Sequence, residues 1–140
     1  MVVVETDLIL ALASKTDKHH SDAVRIVKNI RPLTISPYVF IEVDFLIRLG
    51  MLKVVQPDFY KALKQLIEFY EISVAKVRPE HVMIARDLRE RYGLTYFDSL
   101  HAAVAITEDD VLLSYNKIYS KISGIRYLHP EQMLKSTTYH

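Results

Sequence analysis

Short apolar runs rich in β-branched residues alternate with amphipathic stretches along the chain, and this alternation constrains the fold more than any other feature. Val2-Val3-Val4, Leu33-Thr34-Ile35, Ile72 to Val77, Val111-Leu112-Leu113 and Arg126-Tyr127-Leu128 read as strands. Helical patterns lie between them. Leu8 to Ala13 follows a Thr6 or Asp7 cap, and Asp17 to Ile30 puts Ala23, Ile26, Val27 and Ile30 on one face. Ser36-Pro37 opens a helix to about Gly50, with the serine as cap, and Pro57 opens another to Tyr70. Pro79 to Gly93 and Thr95 to Thr107 are the last long ones. Asn116 begins a short helical turn that Gly124 breaks, and the polar tail after residue 135 is expected to be disordered. Strands joined by helical crossovers pair in parallel and are covered on both faces. The expected fold class is therefore α/β: a single domain over residues 1–140, three layers α/β/α, with a mostly parallel sheet of about four to five strands. Ligands of such sheets gather beyond the carboxyl ends of the strands.

Composition narrows the chemistry. The chain has no cysteine, which excludes a disulfide framework, Cys-ligated zinc and a thiol nucleophile. A formal net charge of +1 gives no broadly basic surface, although a local basic patch stays open. No Gly-rich phosphate loop and no Gly-x-Ser-x-Gly elbow occurs. No apolar run approaches the roughly 20 residues that cross a bilayer, and Glu5 cuts Val2-Val3-Val4 too short for a signal-peptide core. The expectation is a cytoplasmic protein with no membrane partner.

Several polar residues fall where that sheet would place ligands. Glu5 follows the first strand directly; it also fits a solvent-facing strand end. Glu42 shares a helix face with Val39 and Leu46, where a carboxylate is costly without a partner, or else it edges the apolar stripe and reaches water. Asp98 lies three residues after Thr95, as a capping acid would, but Ala102 and Ala105 at i+4 and i+7 let that face approach the sheet. Asn116 follows the strand at 111–113 and also suits an N-cap, with Ser114 beside the same crevice. Acids converging from distant parts of a chain are what magnesium or manganese needs, since both prefer oxygen ligands.

These segments resemble the motifs of PIN domains. Val2-Val3-Val4-Glu5-Thr6-Asp7 is similar to the opening motif, a strand followed by acid-Thr-Asn or acid-Thr-Asp. Ser36-Pro-Tyr-Val-Phe-Ile-Glu42 resembles the second, and Tyr92-Gly-Leu-Thr-Tyr-Phe-Asp98-Ser-Leu-His-Ala-Ala the third. Leu112-Leu-Ser-Tyr-Asn116-Lys117 resembles the fourth, usually a strand followed by Thr-x-Asp. The resemblance implies a VapC-like endoribonuclease that cleaves RNA phosphodiester bonds through water activated by Mg2+ or Mn2+. It implies Glu5, Glu42 and Asp98 as metal ligands, with Asn116 a fourth catalytic position and Asp7, Thr6 and Ser114 auxiliary. It also implies a homodimer and a small antitoxin protein as partner. Glu5 stands where the family has aspartate, and Asn116 replaces another aspartate with a neutral amide that cannot serve as a base. The alternative is a degenerate PIN domain that binds RNA or protein without cutting.

Lys117, Tyr96 and Tyr115 flank the expected pocket and are candidates to hold a phosphate backbone or stack on bases. His19-His20 lacks zinc spacing and reads as a solvated pair; Arg86, Arg89 and Arg91 read as a solvated helix face.

Overall fold

Five short strands, β1 (Val2–Val4), β2 (Leu33–Ile35), β3 (Ser73–Val74), β4 (Val111–Leu113) and β5 (Arg126–Leu128), form one sheet in the order β3-β2-β1-β4-β5. Every pairing is parallel. This is the arrangement in a computed structural model that describes residues 1–138, with side chains through residue 135. Helices α1 (Thr6–Ala13) and α2 (His20–Asn29) join β1 to β2, and α3 (Tyr38–Arg48) and α4 (Asp58–Phe69) join β2 to β3. Then α5 (Pro79–Tyr92) and α6 (Tyr96–Glu108) lead to β4, and α7 (Pro130–Thr138) follows β5.

The strands alternate their side chains between two cores, as period-2 geometry requires. Val2 and Val4 of β1 pack with Leu8, Ile9, Ala23, Ile26 and Leu63 under α1, α2 and α4. Val3 points the other way, with Leu112, into a core built by α5 and α6. Val3 and Val4 are both fully buried, so the all-apolar run at the amino terminus marks a central strand covered twice. The α/β/α layering expected from the sequence is the layering found.

Two local expectations give way. The strand read over Ile72 to Val77 pairs only at Ser73 and Val74. It is an edge strand with one neighbour, and that neighbour, β2, is itself only three residues long. Ser36 does not cap α3. Pro37 holds the cap position without a side-chain bond, while the buried Ser36 hydroxyl turns 2.8 Å from His101 Nδ1, because a buried hydroxyl must find a partner. Helix α7, which the sequence reading does not place, sends Met133 and Leu134 into the first core; residues 139 and 140 lie outside the described residues.

Helix α6 carries Asp98, and its packing decides where that acid goes. Thr95 accepts the Asp98 N–H at 3.4 Å and starts the helix, and Gly93, at φ 66, ends α5 in the left-handed conformation that glycine takes without strain. Ala102, Ala103 and Ala105 are almost wholly buried, so α6 lies close against the sheet. Buried His81 ties the helical layer together. Its Nδ1 accepts from the Tyr38 hydroxyl at 2.8 Å and the Arg78 N–H at 3.2 Å, and its Nε2–H donates to Thr107 at 2.9 Å. Burial and nearby Arg78 hold its pKa below the usual histidine value, so the ring is neutral. Replacing Ala102 by Leu should overpack the α6–sheet contact and cost about 1–3 kcal/mol, read as a lower urea midpoint with an unchanged slope.

Candidate functional site

The strand order reverses direction between β1 and β4: from β1 the chain builds outward to β2 and β3, and β4 then begins the other half. Loops leaving two such strands diverge and open a crevice at their carboxyl ends. Glu5 leaves β1 there, and Ser114 to Asn116 leave β4. Asp7 spans the gap. Its Oδ2 accepts from the Ser114 hydroxyl at 3.0 Å and from the Tyr115 N–H at 2.8 Å. Its Oδ1 is buried with no hydrogen-bond partner.

Glu5 is the N-cap of α1. Its Oε1 accepts the Asp7 N–H at 2.9 Å, and its Oε2 accepts from the Tyr119 hydroxyl at 2.8 Å. Glu42 comes from α3 and meets α1 and α6 at its tip. Oε1 accepts from the Thr6 hydroxyl and, at 2.8 Å, from His101 Nε2. Asp98 arrives on α6. Its Oδ1 lies 3.3 Å from the same Tyr119 hydroxyl, and its Oδ2 accepts weakly from the Asn116 amide at 3.4 Å. Glu5 and Asp98 thus share the Tyr119 hydroxyl, and Glu42 is held by Thr6 and His101. Among the described residues, no three acids or histidines stand close enough to enclose a metal ion as they are.

The electrostatics follow from burial. Glu5 is 5% exposed; burial and the neighbouring Asp7 carboxylate push its pKa up to about 7. Burial also raises Asp7, against the pull of its Tyr115 and Ser114 donors. Glu42 goes the other way: burial works to raise it, but the hydrogen bonds from His101 and Thr6 bring it below the usual value. His101 is fully buried. Burial pulls its pKa down, yet the bond to Glu42 and the charges of Glu5, Glu42 and Asp98 lift it overall. One ring therefore feels all three acids. Buried carboxylates with an unpartnered oxygen at Asp7 form a hard-oxygen donor set, and that chemistry suits magnesium or manganese.

The remaining candidates divide. Asn116 caps the 3-10 turn Lys117–Lys121, its Oδ1 accepting from the Ile118 N–H at 3.1 Å; the amide oxygen is engaged, and the NH2 faces Asp98. Lys117 is exposed and lines a cleft of about 290 Å3 with Tyr127, His129 and Lys135. Tyr96 stands beside Glu42 on an apolar groove of about 700 Å3. Tyr115 is already stacked on His19 at 4.0 Å with His129 at its edge, so one ring face is covered. That contact corrects the reading of His19-His20 as solvated, since His20 Nδ1 also lies 2.9 Å from the Ala11 carbonyl. Arg89 departs from the solvated arginine face too: it donates to Ser99 at 2.9 Å and lies over the Tyr96 ring at 5.2 Å.

His101 and Tyr119 escaped the sequence reading. His101 had a signal: it lies three residues after Asp98 on the alanine-rich face of α6, and residues so spaced are neighbours on a helix. Tyr119 had none, since nothing in the sequence aims its hydroxyl at Glu5.

A family model for the PIN domain matches residues 2–125. No curated protein matches the chain. Among solved structures it is similar to a chain of VapBC2 from Rickettsia felis, bound to a DNA fragment from its promoter, with TM-score 0.71 and 15% identity over 92% of this chain and 98% of that one. PAE2754 from Pyrobaculum aerophilum matches with TM-score 0.66 and 20% identity over 99% of this chain and 96% of that one. VapC20 from Mycobacterium tuberculosis, a Sarcin-Ricin loop cleaving toxin, matches with TM-score 0.67 and 17% identity over 89% and 97%. At such identities the likeness is one of fold. No described helix is long and apolar enough to cross a membrane.

The raised Glu5 carboxyl makes stability depend on pH in the metal-free protein. A group whose folded pKa exceeds its unfolded value favours folding in its neutral form. That contribution is complete below about 4.5 and is lost as pH rises through about 7. The shift corresponds to ~3 kcal/mol. Glu5→Gln cannot ionise, so in chelator the stability difference between Glu5→Gln and the unaltered chain should move in favour of the variant from pH 5 to pH 8. Urea titrations across that range measure it, and a pH-independent difference would contradict the burial argument.

Proposed function

The chain belongs to the PIN domain family, and from that premise we propose that it is a divalent-metal-dependent endoribonuclease of the VapC-like class. One observation carries the reading: three carboxylates from three elements are held in the same crevice, Glu5 and Asp98 by the Tyr119 hydroxyl and Glu42 by Thr6 and the buried His101 ring. Glu5, Glu42 and Asp98 would hold Mg2+ or Mn2+, with Asp7 auxiliary through its unpartnered Oδ1. When bound, such an ion supplies Lewis acidity toward water and a phosphodiester oxygen.

The chain's own residues do the rest. Thr6 and His101 fix the Glu42 carboxylate from two sides. Ser114 and the Tyr115 N–H fix Asp7. Lys117, exposed next to Asn116, would meet a phosphate of the RNA backbone, a contact that positions a strand without reading its sequence. Tyr96 offers an exposed ring for an unpaired base.

A second reading has its own observation: the Asn116 oxygen already accepts the Ile118 N–H in capping, so the fourth position offers a neutral, half-engaged amide oxygen in place of a carboxylate. A non-cutting RNA- or protein-binding PIN domain follows from that. Incubation with a mixed RNA pool separates the two. Cleavage that needs Mn2+ or Mg2+, stops in chelator and falls at least ~10–100-fold in Glu42→Gln supports the nuclease, since even changes to residues behind metal ligands cost that much. Binding without cleavage supports the second reading.

The partners proposed are a small antitoxin protein and a second copy of the chain. The Rickettsia VapBC2 structure and a toxin–antitoxin complex from Klebsiella pneumoniae, similar in fold at 16% identity, support the first. For the second, Ile41, Phe45 and Leu49 are each about half exposed along α3, an apolar face larger than a lone surface residue explains. Phe45→Glu should shift the light-scattering mass of the purified protein from dimer to monomer.

A further inference from the structure

Tyr119 is the largest fully buried side chain among the described residues, yet its hydroxyl is aimed at two carboxylates. A phenol has one proton to give. At 2.8 Å from Glu5 Oε2 the primary bond is clear, and the 3.3 Å approach to Asp98 Oδ1 is the weaker share of the same proton. Glu5 is held by the start of α1 and is buried, while Asp98, in the first turn of α6, is only half-buried. Like charges push two carboxylates apart; a hydroxyl between them opposes it.

The hydroxyl is itself aimed by local structure. Asn116 caps the turn Lys117–Lys121 through its Oδ1, and the turn delivers Tyr119 inward. The Tyr127 ring packs 6.1 Å away, anchored by its own hydroxyl bond to the Ser114 carbonyl at 2.9 Å. Position 116 therefore reaches Glu5 and Asp98 indirectly, by building the turn that carries the phenol, as well as by its amide contact to Asp98.

We propose that Tyr119 is a positioning residue that keeps Glu5 and Asp98 beside one another so that a divalent cation can draw both in as ligands, with Asn116 acting through it. The inference rests on the metal-site reading above. Tyr119 is too deeply buried to touch RNA, so its effect passes through the two acids.

Tyr119→Phe keeps the ring and removes the hydroxyl. Calorimetric titration with Mn2+ alone should show Kd weakened about 10–100-fold, the range expected for partners that orient metal ligands, while circular dichroism stays unchanged. Tyr38→Phe removes a similarly buried hydroxyl from the His81 network and should leave Mn2+ affinity within twofold. Unaltered affinity in Tyr119→Phe, with the parent protein binding Mn2+, overturns the positioning role and leaves the metal site standing. A parent protein that binds no Mn2+ overturns both. If Tyr119→Phe does not fold, tyrosine labelled with 13C at Cζ in the unaltered protein gives the answer: saturating Mg2+ should shift the Tyr119 resonance, and an unmoved resonance overturns the proposal.

Discussion

Carboxylates do not gather in a protein interior without donors to hold them. Desolvation disfavours each charge, and every added neighbour raises the cost. The crevice between β1 and β4 meets that constraint with side chains from nearly every element that reaches it. Asp7 is met by Ser114 and the Tyr115 N–H, Glu42 by Thr6 and His101, and Glu5 with Asp98 by Tyr119. The polar network is local, but each donor needs its own support. Ser36 backs His101, and the Asn116 cap backs Tyr119.

The sheet supplies the rigidity that this network requires. Two cores, one on each face, clamp β1 from both sides. Glu5 therefore leaves a strand packed on both faces, while Glu42 and Asp98 come from the flanking helices α3 and α6. The close approach of α6 depends on small residues at Ala102, Ala103 and Ala105. A larger side chain there would displace Asp98 and His101 together, because both ride on the same helix. Stability and site geometry are thus coupled through one packing contact, not through the charged groups alone.

His101 illustrates how environment sets charge. In isolation, burial would make the ring neutral, as it does for His81, which faces a backbone N–H and two hydroxyls. At His101 the surrounding carboxylates reverse the outcome and favour the cation. Two buried histidines in one small domain are driven in opposite directions: burial lowers both, and only at His101 do the neighbouring carboxylates outweigh it.

The order of the elements, the layering and the capping residues at Thr95 and Gly93 were legible in the sequence, because hydrophobic period, glycine and capping side chains act over a few residues. Glu5, Glu42, Asp98 and Asn116 could be singled out for the same reason: each sits at a strand end or on a helix face that local pattern reveals. The pairings were not legible. That Ser36 would serve His101 and not α3, that Tyr119 would lie between Glu5 and Asp98, and that His19 would cover a face of Tyr115 all depend on distances between residues far apart in the chain. Those distances arise only when strands align in register and helices settle at the depth their side chains permit, so they belong to the tertiary structure.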